Sequence, residues 1–183
     1  SCSPSHTDEL RERTSACIDA VSLWMAANRL QLNQAKTEVL WCTLSRRLNQ
    51  IPTGSVRIGG TQVQPVSTVR DLGVMLDADL TFRTHVTSTV RACFAALRRI
   101  RSVKRSVPRS CLLTLIRSLI ITKLDYCNSV LAGTPACLQE RLQSVLNSAA
   151  RLVFSARKYD HVTPLVQDLH WLRVPERFQF QLC

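Results

Sequence analysis

Apolar and polar positions along the chain change period near residue 80. From Thr7 to Asn28, Leu10, Cys17, Ile18, Val21, Trp24 and Met25 recur at helical spacing. Thr7 is expected to cap this helix, with Asp8 and Glu9 in the first turn, where the helix dipole favours acids. Thr37 to Thr43 reads as a strand with Val39 and Trp41 on one face, and Ser45 to Gly54 as a polar loop. Val56-Arg57-Ile58, Gly59-Gly60 and Thr61-Gln62-Val63 form a hairpin signal, since two glycines supply the positive φ angles of a two-residue turn. Val66 to Leu76 continues as a further strand, with Val69 and Leu72 inward.

Beyond Asp79 the period becomes helical. The spacing predicts a helix from Thr84 to about Val103, with Val86, Val90, Cys93, Leu97 and Ile100 as its apolar face. A second helix is predicted from Pro108 to near Gly133. A third follows Thr134-Pro135 and runs to about Phe154, its core stripe including Leu138, Leu142, Val145, Leu146, Ala149 and Val153. Residues 161–183 read as two short helical pieces separated by Leu172-Arg173-Val174-Pro175. The expected fold is α+β: residues 1–80 form a helix plus a small antiparallel sheet, and residues 81–183 an all-α helical bundle. No internal repeat or low-complexity stretch interrupts this order.

The chain has 183 residues and an apolar share of 45%, which suits a packed core. The first residue is Ser1, so a processed or truncated piece is expected. Residues 1–28 lack the basic-then-apolar order of a signal peptide. Arg117, Lys123 and Asp125 interrupt the most apolar region, so no membrane span is expected. None of the eight cysteines forms a Cys-x-x-Cys pair or lies near a histidine at zinc-finger spacing. Buried free thiols are expected, and with them a reducing, intracellular setting in the cytoplasm or nucleus. Trp24, Trp41 and Trp171 read as core or half-buried packing residues, and His170 as packing in the Leu169–Leu172 turn. His161 and His170 lack a partner at ligand spacing.

Charge sharpens this picture. The net charge is +11, and from Leu80 to Leu124 there are ten bases and no acid. A solvated helix face usually mixes signs. An unmixed basic run points instead to a polyanion partner. Arg91, Arg98 and Arg105 recur every seven residues, nearly opposite the apolar face, and Arg101 falls in the same run. Phe94 is an isolated aromatic in the stretch, so contacts to the phosphate backbone are expected rather than base stacking.

Several phrases resemble LINE-type (non-LTR) retrotransposon reverse transcriptases, in that family's order. Trp24-Met25, Asn28 to Asn33 and Lys36-Thr37-Glu38 resemble the motif D region. Val69 to Val74, with Leu80-Thr81-Phe82 and His85, resembles the motif E or primer-grip region. Leu124 to Asn128, Leu131-Ala132-Gly133, Asn147 to Arg151 and Leu169 to Leu172 resemble the helical region that follows the palm. The resemblance implies a partial palm over 1–80 and a thumb-like helical region over 81–183. Its implied function is that of the C-terminal part of an RNA-directed DNA polymerase, binding a primer-template duplex of RNA and DNA.

It also implies site roles. Lys36 matches the motif D lysine, a proton donor to the departing pyrophosphate; an ammonium there both neutralises charge and acts as general acid. Leu72 and Gly73 match the primer grip, and glycine permits close approach of a nucleic-acid backbone, although a strand bulge accounts for it equally well. The parent enzyme uses Mg2+ on an Asp-Asp pair. That pair is expected before the first helix, where Ser1 to His6 hold no acid. Asp77-Ala78-Asp79 reads as capping and turn formation. The chain is therefore expected to hold no metal or other cofactor and to be inactive alone, with the remaining palm and fingers as a further partner. A stand-alone basic nucleic-acid-binding or interaction module derived from such an element is the alternative.

Overall fold

The computed structural model describes residues 7–183, with side chains from Asp8 onward. Cys2, the Ser1–His6 segment and the capping side chain of Thr7 lie outside the described residues. The fold is mixed α and β, with two compact units, Ser1–Thr81 and Phe82–Cys183.

In the first unit, α1 (Thr7–Ala27) packs on the hairpin of β2 (Val56–Ile58) and β3 (Thr61–Val63). Val56 and Ile58 are buried on one face of β2, while Arg57 between them reaches outward. There Arg57 meets Asp19 of α1 at 2.7 Å, and the Arg11 guanidinium donates to the Ser55 carbonyl oxygen. The Gly59-Gly60 turn has one positive φ, +57° at Gly59, the pattern of a type II′ turn rather than two left-handed glycines. Trp24, expected inward, is 62% exposed, and Val21 is also exposed. The polar anchors of α1 to the hairpin, Arg11 and Asp19, both precede this part of the helix.

The small sheet differs from expectation. Among the described residues it consists of three separate two-stranded pieces, and one of them is parallel. β1 is only Val39–Leu40 and pairs in parallel with β4 (Pro65–Val66). Pro65 has no amide proton to extend that ladder, which fits so short an edge pair. The predicted strand over Val66–Leu76 is a second hairpin, β5 (Thr68–Asp71) with β6 (Val74–Asp77), turning at Leu72-Gly73. Leu72, expected inward, is 86% exposed at the tip.

The second unit has a single core. α2 (Arg83–Val103) buries Val86, Val90, Cys93, Leu97 and Ile100 against α6 (Ala136–Phe154), which contributes Leu142, Val145, Leu146 and Ala149. Arg141 of α6 donates to Thr87 near the start of α2, while Lys104 just past its end bonds residues at the end of α6. The two helices therefore run parallel, and their C-terminal ends meet.

The predicted second helix is interrupted. α3 (Arg109–Ile116) leads into a π turn at Arg117–Ile121, then α4 (Thr122–Asp125), a break, and α5 (Asn128–Leu131). Buried Leu112, Ile116, Ile120 and Leu124 are each four apart. At 3.6 residues per turn such a row drifts about 40° per step, and a wider π turn takes up that drift. Cys127, at φ +58°, ends the run. α7 (Thr163–Asp168) and α8 (Val174–Leu182) close the unit, and Val174 and Phe178 enter the core. His170, expected to pack, is exposed, while Trp171 beside it packs on the core.

The cysteine expectation also changes. The described thiols are free, but Cys17, Cys42, Cys111, Cys137 and Cys183 are exposed and Cys127 is half-buried; Cys93 is buried. Cys111 and Cys137 each sit beside a buried leucine of their helix, Leu112 and Leu138, where periodicity alone does not distinguish core from rim. Among the described residues, no helix is long and apolar enough to cross a membrane.

Candidate nucleic-acid interface

Charge divides sharply between the units. Residues 1–81 hold eight Lys and Arg against eight Asp and Glu, and residues 82–183 hold sixteen against five, so the whole excess of +11 lies in the helical unit. α2 carries much of it and contains no acid. The core claims one side of α2, leaving Arg91 and Arg98 exposed on the other, about 20° apart around the axis. Arg101 is exposed one turn further on, and Arg105 is exposed in the 3-10 turn Lys104–Ser106 that continues the helix. Among the described residues, none of these four arginines has a carboxylate within ion-pair distance. Their charge faces solvent uncompensated, which suits a row of phosphates rather than a protein partner with mixed charge.

The end of this row opens on a cleft of about 980 Å³. Arg101 and Arg105 line it from α2's side, and Arg151 and Lys158 from the end of α6 and the turn after it. Lys104, between them, donates from Nζ to the Leu152 carbonyl oxygen and, at 2.8 Å, to Ser155 Oγ. Burial and the neighbouring Arg101 push the Lys104 ammonium below its ordinary value of 10.5. Sequence reasoning did not find this cleft. It included Lys104 in the basic run and Arg151 in a family phrase, but the two lie 47 positions apart and meet only because α2 and α6 are parallel.

In the first unit, Lys36 is exposed at the end of a 3-10 turn, Gln34–Lys36. Gln34 docks this turn on the β2–β3 hairpin, accepting from Thr61 Oγ1 at 3.1 Å. A Cβ on Gly59 would lie 2.7 Å from the Gln34 amide nitrogen, so glycine there suits both the turn and the docking. Leu72 and Gly73 form a separate tip, with φ angles of +45° and +88°, the pair of positive values a type I′ turn requires. Glycine takes this shape freely, but a leucine there is strained, and the strain coincides with an exposed apolar side chain. Gly73 thus makes a turn, not a bulge.

Asp77 and Asp79 each accept hydrogen bonds from nearby hydroxyls. Asp77 is buried and accepts from Thr68 Oγ1 at 3.3 Å. Asp79 accepts from the Thr81 amide at 3.2 Å, from Thr81 Oγ1 at 2.7 Å and from Ser45 Oγ at 3.3 Å. Desolvation pushes the Asp79 carboxyl up, but these hydrogen bonds outweigh it, and the group titrates below its ordinary 3.8. Among the described residues, no group of three or more His, Cys, Asp and Glu is placed to hold a metal ion.

Comparison with protein-family models, curated proteins and solved structures found no match.

Proposed function

We propose that this chain binds a primer-template duplex of RNA and DNA through the phosphate backbone, as the motif D, motif E and helical portion of a LINE-type reverse transcriptase. The observation that carries the reading is the exposed row Arg91, Arg98, Arg101 and Arg105, with no ion pair among the described residues, on an acid-free helix and the turn that continues it, whose other side is core. In this reading the unit Phe82–Cys183 is thumb-like and the unit Ser1–Thr81 is part of a palm. Leu72 and Gly73 touch the primer strand; a strained, exposed apolar tip supports such a contact. Lys36 is poised to meet the pyrophosphate of an incoming nucleotide once the palm's Mg2+-binding carboxylates are supplied, and the remaining palm and fingers are the protein partner. Work on nucleic acid places the chain inside the cell.

A second reading, a stand-alone basic binding module derived from such an element, is favoured by one observation: the helical unit has its own contiguous core and all of the net charge. Fluorescence anisotropy on an RNA–DNA hybrid over a range of salt tests the shared claim. Contacts to four phosphates give a log-log salt slope near about −3.6. Absent or salt-insensitive binding overturns both readings. Primer extension after mixing with a fragment carrying the family's Asp-Asp pair separates them, since only the polymerase reading predicts restored activity.

A further inference from the structure

The cleft at the joined ends of α2 and α6 contains more positive charge than the fold requires. Two helix C-termini bring about half a negative charge each, and cations there are ordinarily stabilising. Lys104 serves that purpose at the end of α6, and Arg151 braces the turn that follows it. Lys104 binds the Leu152 carbonyl oxygen and Ser155 Oγ, and the Arg151 guanidinium donates to the Asp160 carbonyl oxygen at 3.2 Å. The Asp160 carboxylate is engaged elsewhere, accepting from the Arg157 amide at 2.6 Å. Arg101, Arg105 and Lys158 remain, and no carboxylate lies within ion-pair distance of any of them among the described residues. The Arg151 Nε is buried with no hydrogen-bond acceptor among the described residues. Like charges gathered on one cleft repel unless an anion joins them, and the Ser155 hydroxyl, whose oxygen accepts from Lys104, keeps its own proton to donate to one.

We propose that this cleft is a second phosphate-binding site, which takes a phosphate of a nucleic-acid strand at the point where the strand leaves the row on α2. The proposal rests on the duplex-binding reading above and deepens it: the outer face of α2 tracks successive backbone phosphates, and the cleft fixes where the track ends. Arg151 and Lys158, from outside α2, are the residues this adds. The bound group is either an internal phosphodiester or a terminal phosphate monoester, and both offer anionic oxygens to the same donors.

The test uses the whole chain with two variants that leave every arginine of the α2 row in place. Lys158→Gln removes a cation that lies 5.9 Å from the Tyr159 ring and has no ion pair among the described residues. Ser102→Glu places an acid on the cleft wall without removing a cation. Each is titrated against one RNA–DNA hybrid carrying a 5′-phosphate and one carrying a 5′-hydroxyl, over a range of salt. The expected result is weaker binding by both variants, a salt slope shallower by about 0.9 for Lys158→Gln, and unchanged melting temperatures. Loss with both hybrids identifies a backbone phosphodiester, and loss confined to the 5′-phosphate hybrid identifies a terminal monoester. Wild-type binding that neither variant alters overturns the cleft proposal and leaves the α2 reading standing. A wild type that does not bind either hybrid overturns both.

Discussion

Asp125 and Arg177 form a two-pronged ion pair across the second unit, with Nε to Oδ1 at 2.8 Å and Nη2 to Oδ2 at 2.7 Å. The pair anchors α8 to the end of α4, 52 positions away in sequence. Asn128, 1% exposed, donates to the same Asp125 oxygen at 3.1 Å. The phrase Leu124 to Asn128 thus acts as a joint: a buried leucine, an acid that holds a distant helix, a left-handed cysteine and a buried amide.

The side chains of this pair are only 15% and 29% exposed, so losing one partner leaves a half-buried charge without its mate. Asp125→Asn or Arg177→Gln is expected to cost about 2 kcal/mol, the scale of a hydrogen bond to a charged group. In a unit of this size that lowers the Tm by about 10 °C. The double variant should lose clearly less than the sum of the two, because each single change already breaks the same contact. Thermal unfolding of all three checks this; strictly additive losses contradict a direct pair.

The β5–β6 hairpin turns where its sequence is locally unfavourable. Leu72→Asn is expected to stabilise the first unit by about 0.5–1 kcal/mol, since asparagine tolerates a positive φ that leucine resists. Gly73→Ala, at φ +88°, should destabilise by about 1 kcal/mol. If the tip grips the primer, Leu72→Asn also weakens duplex binding while raising stability. Chemical denaturation and anisotropy on the same samples show whether the two effects separate in this way; a variant both more stable and equally tight in binding removes Leu72 from the interface.

Thiol reactivity should divide along the lines of burial. Burial pushes the Cys93 thiol from its ordinary 9.0 to about 11, so it stays protonated and shielded in the folded chain. At pH 8 iodoacetamide is expected to modify Cys17, Cys42, Cys111, Cys137 and Cys183 readily, and Cys93 only after unfolding. Peptide mass spectrometry reads each site. The linkage has a definite sign. An unfolded thiol ionises near 9.0 while folded Cys93 still holds its proton, so this group's contribution is complete below pH 9.0 and is lost towards pH 11. A Cys93→Ala variant should show a smaller fall in stability over that window.

Sequence periodicity was most informative where burial follows one local stripe. The faces of α2 and α6 are legible because Val86 to Ile100 and Leu138 to Val153 keep helical spacing throughout. The β2–β3 hairpin is legible because its turn carries glycines. The β5–β6 turn is not, because leucine sits where asparagine or glycine would signal a positive φ. The break between α4 and α5 is not legible either, since its anchor, Arg177, lies on another helix. The arginine row could be read from its seven-residue spacing. The cleft could not, because Arg151 and Lys158 reach Arg101 only through the parallel packing of α2 on α6.

The proposed contact between α2 and nucleic acid runs through phosphates and not through fold-dependent packing. The most direct measurement compares the salt dependence of hybrid-duplex binding by the wild type and by Arg91→Ala/Arg98→Ala/Arg105→Ala, alongside the melting temperature of each. The account predicts weaker binding by the triple variant, a log-log slope shallower by about 2.7, and a melting temperature within a few degrees of the wild type. Unchanged binding with a sharp fall in melting temperature would show that the row is structural and would contradict the account.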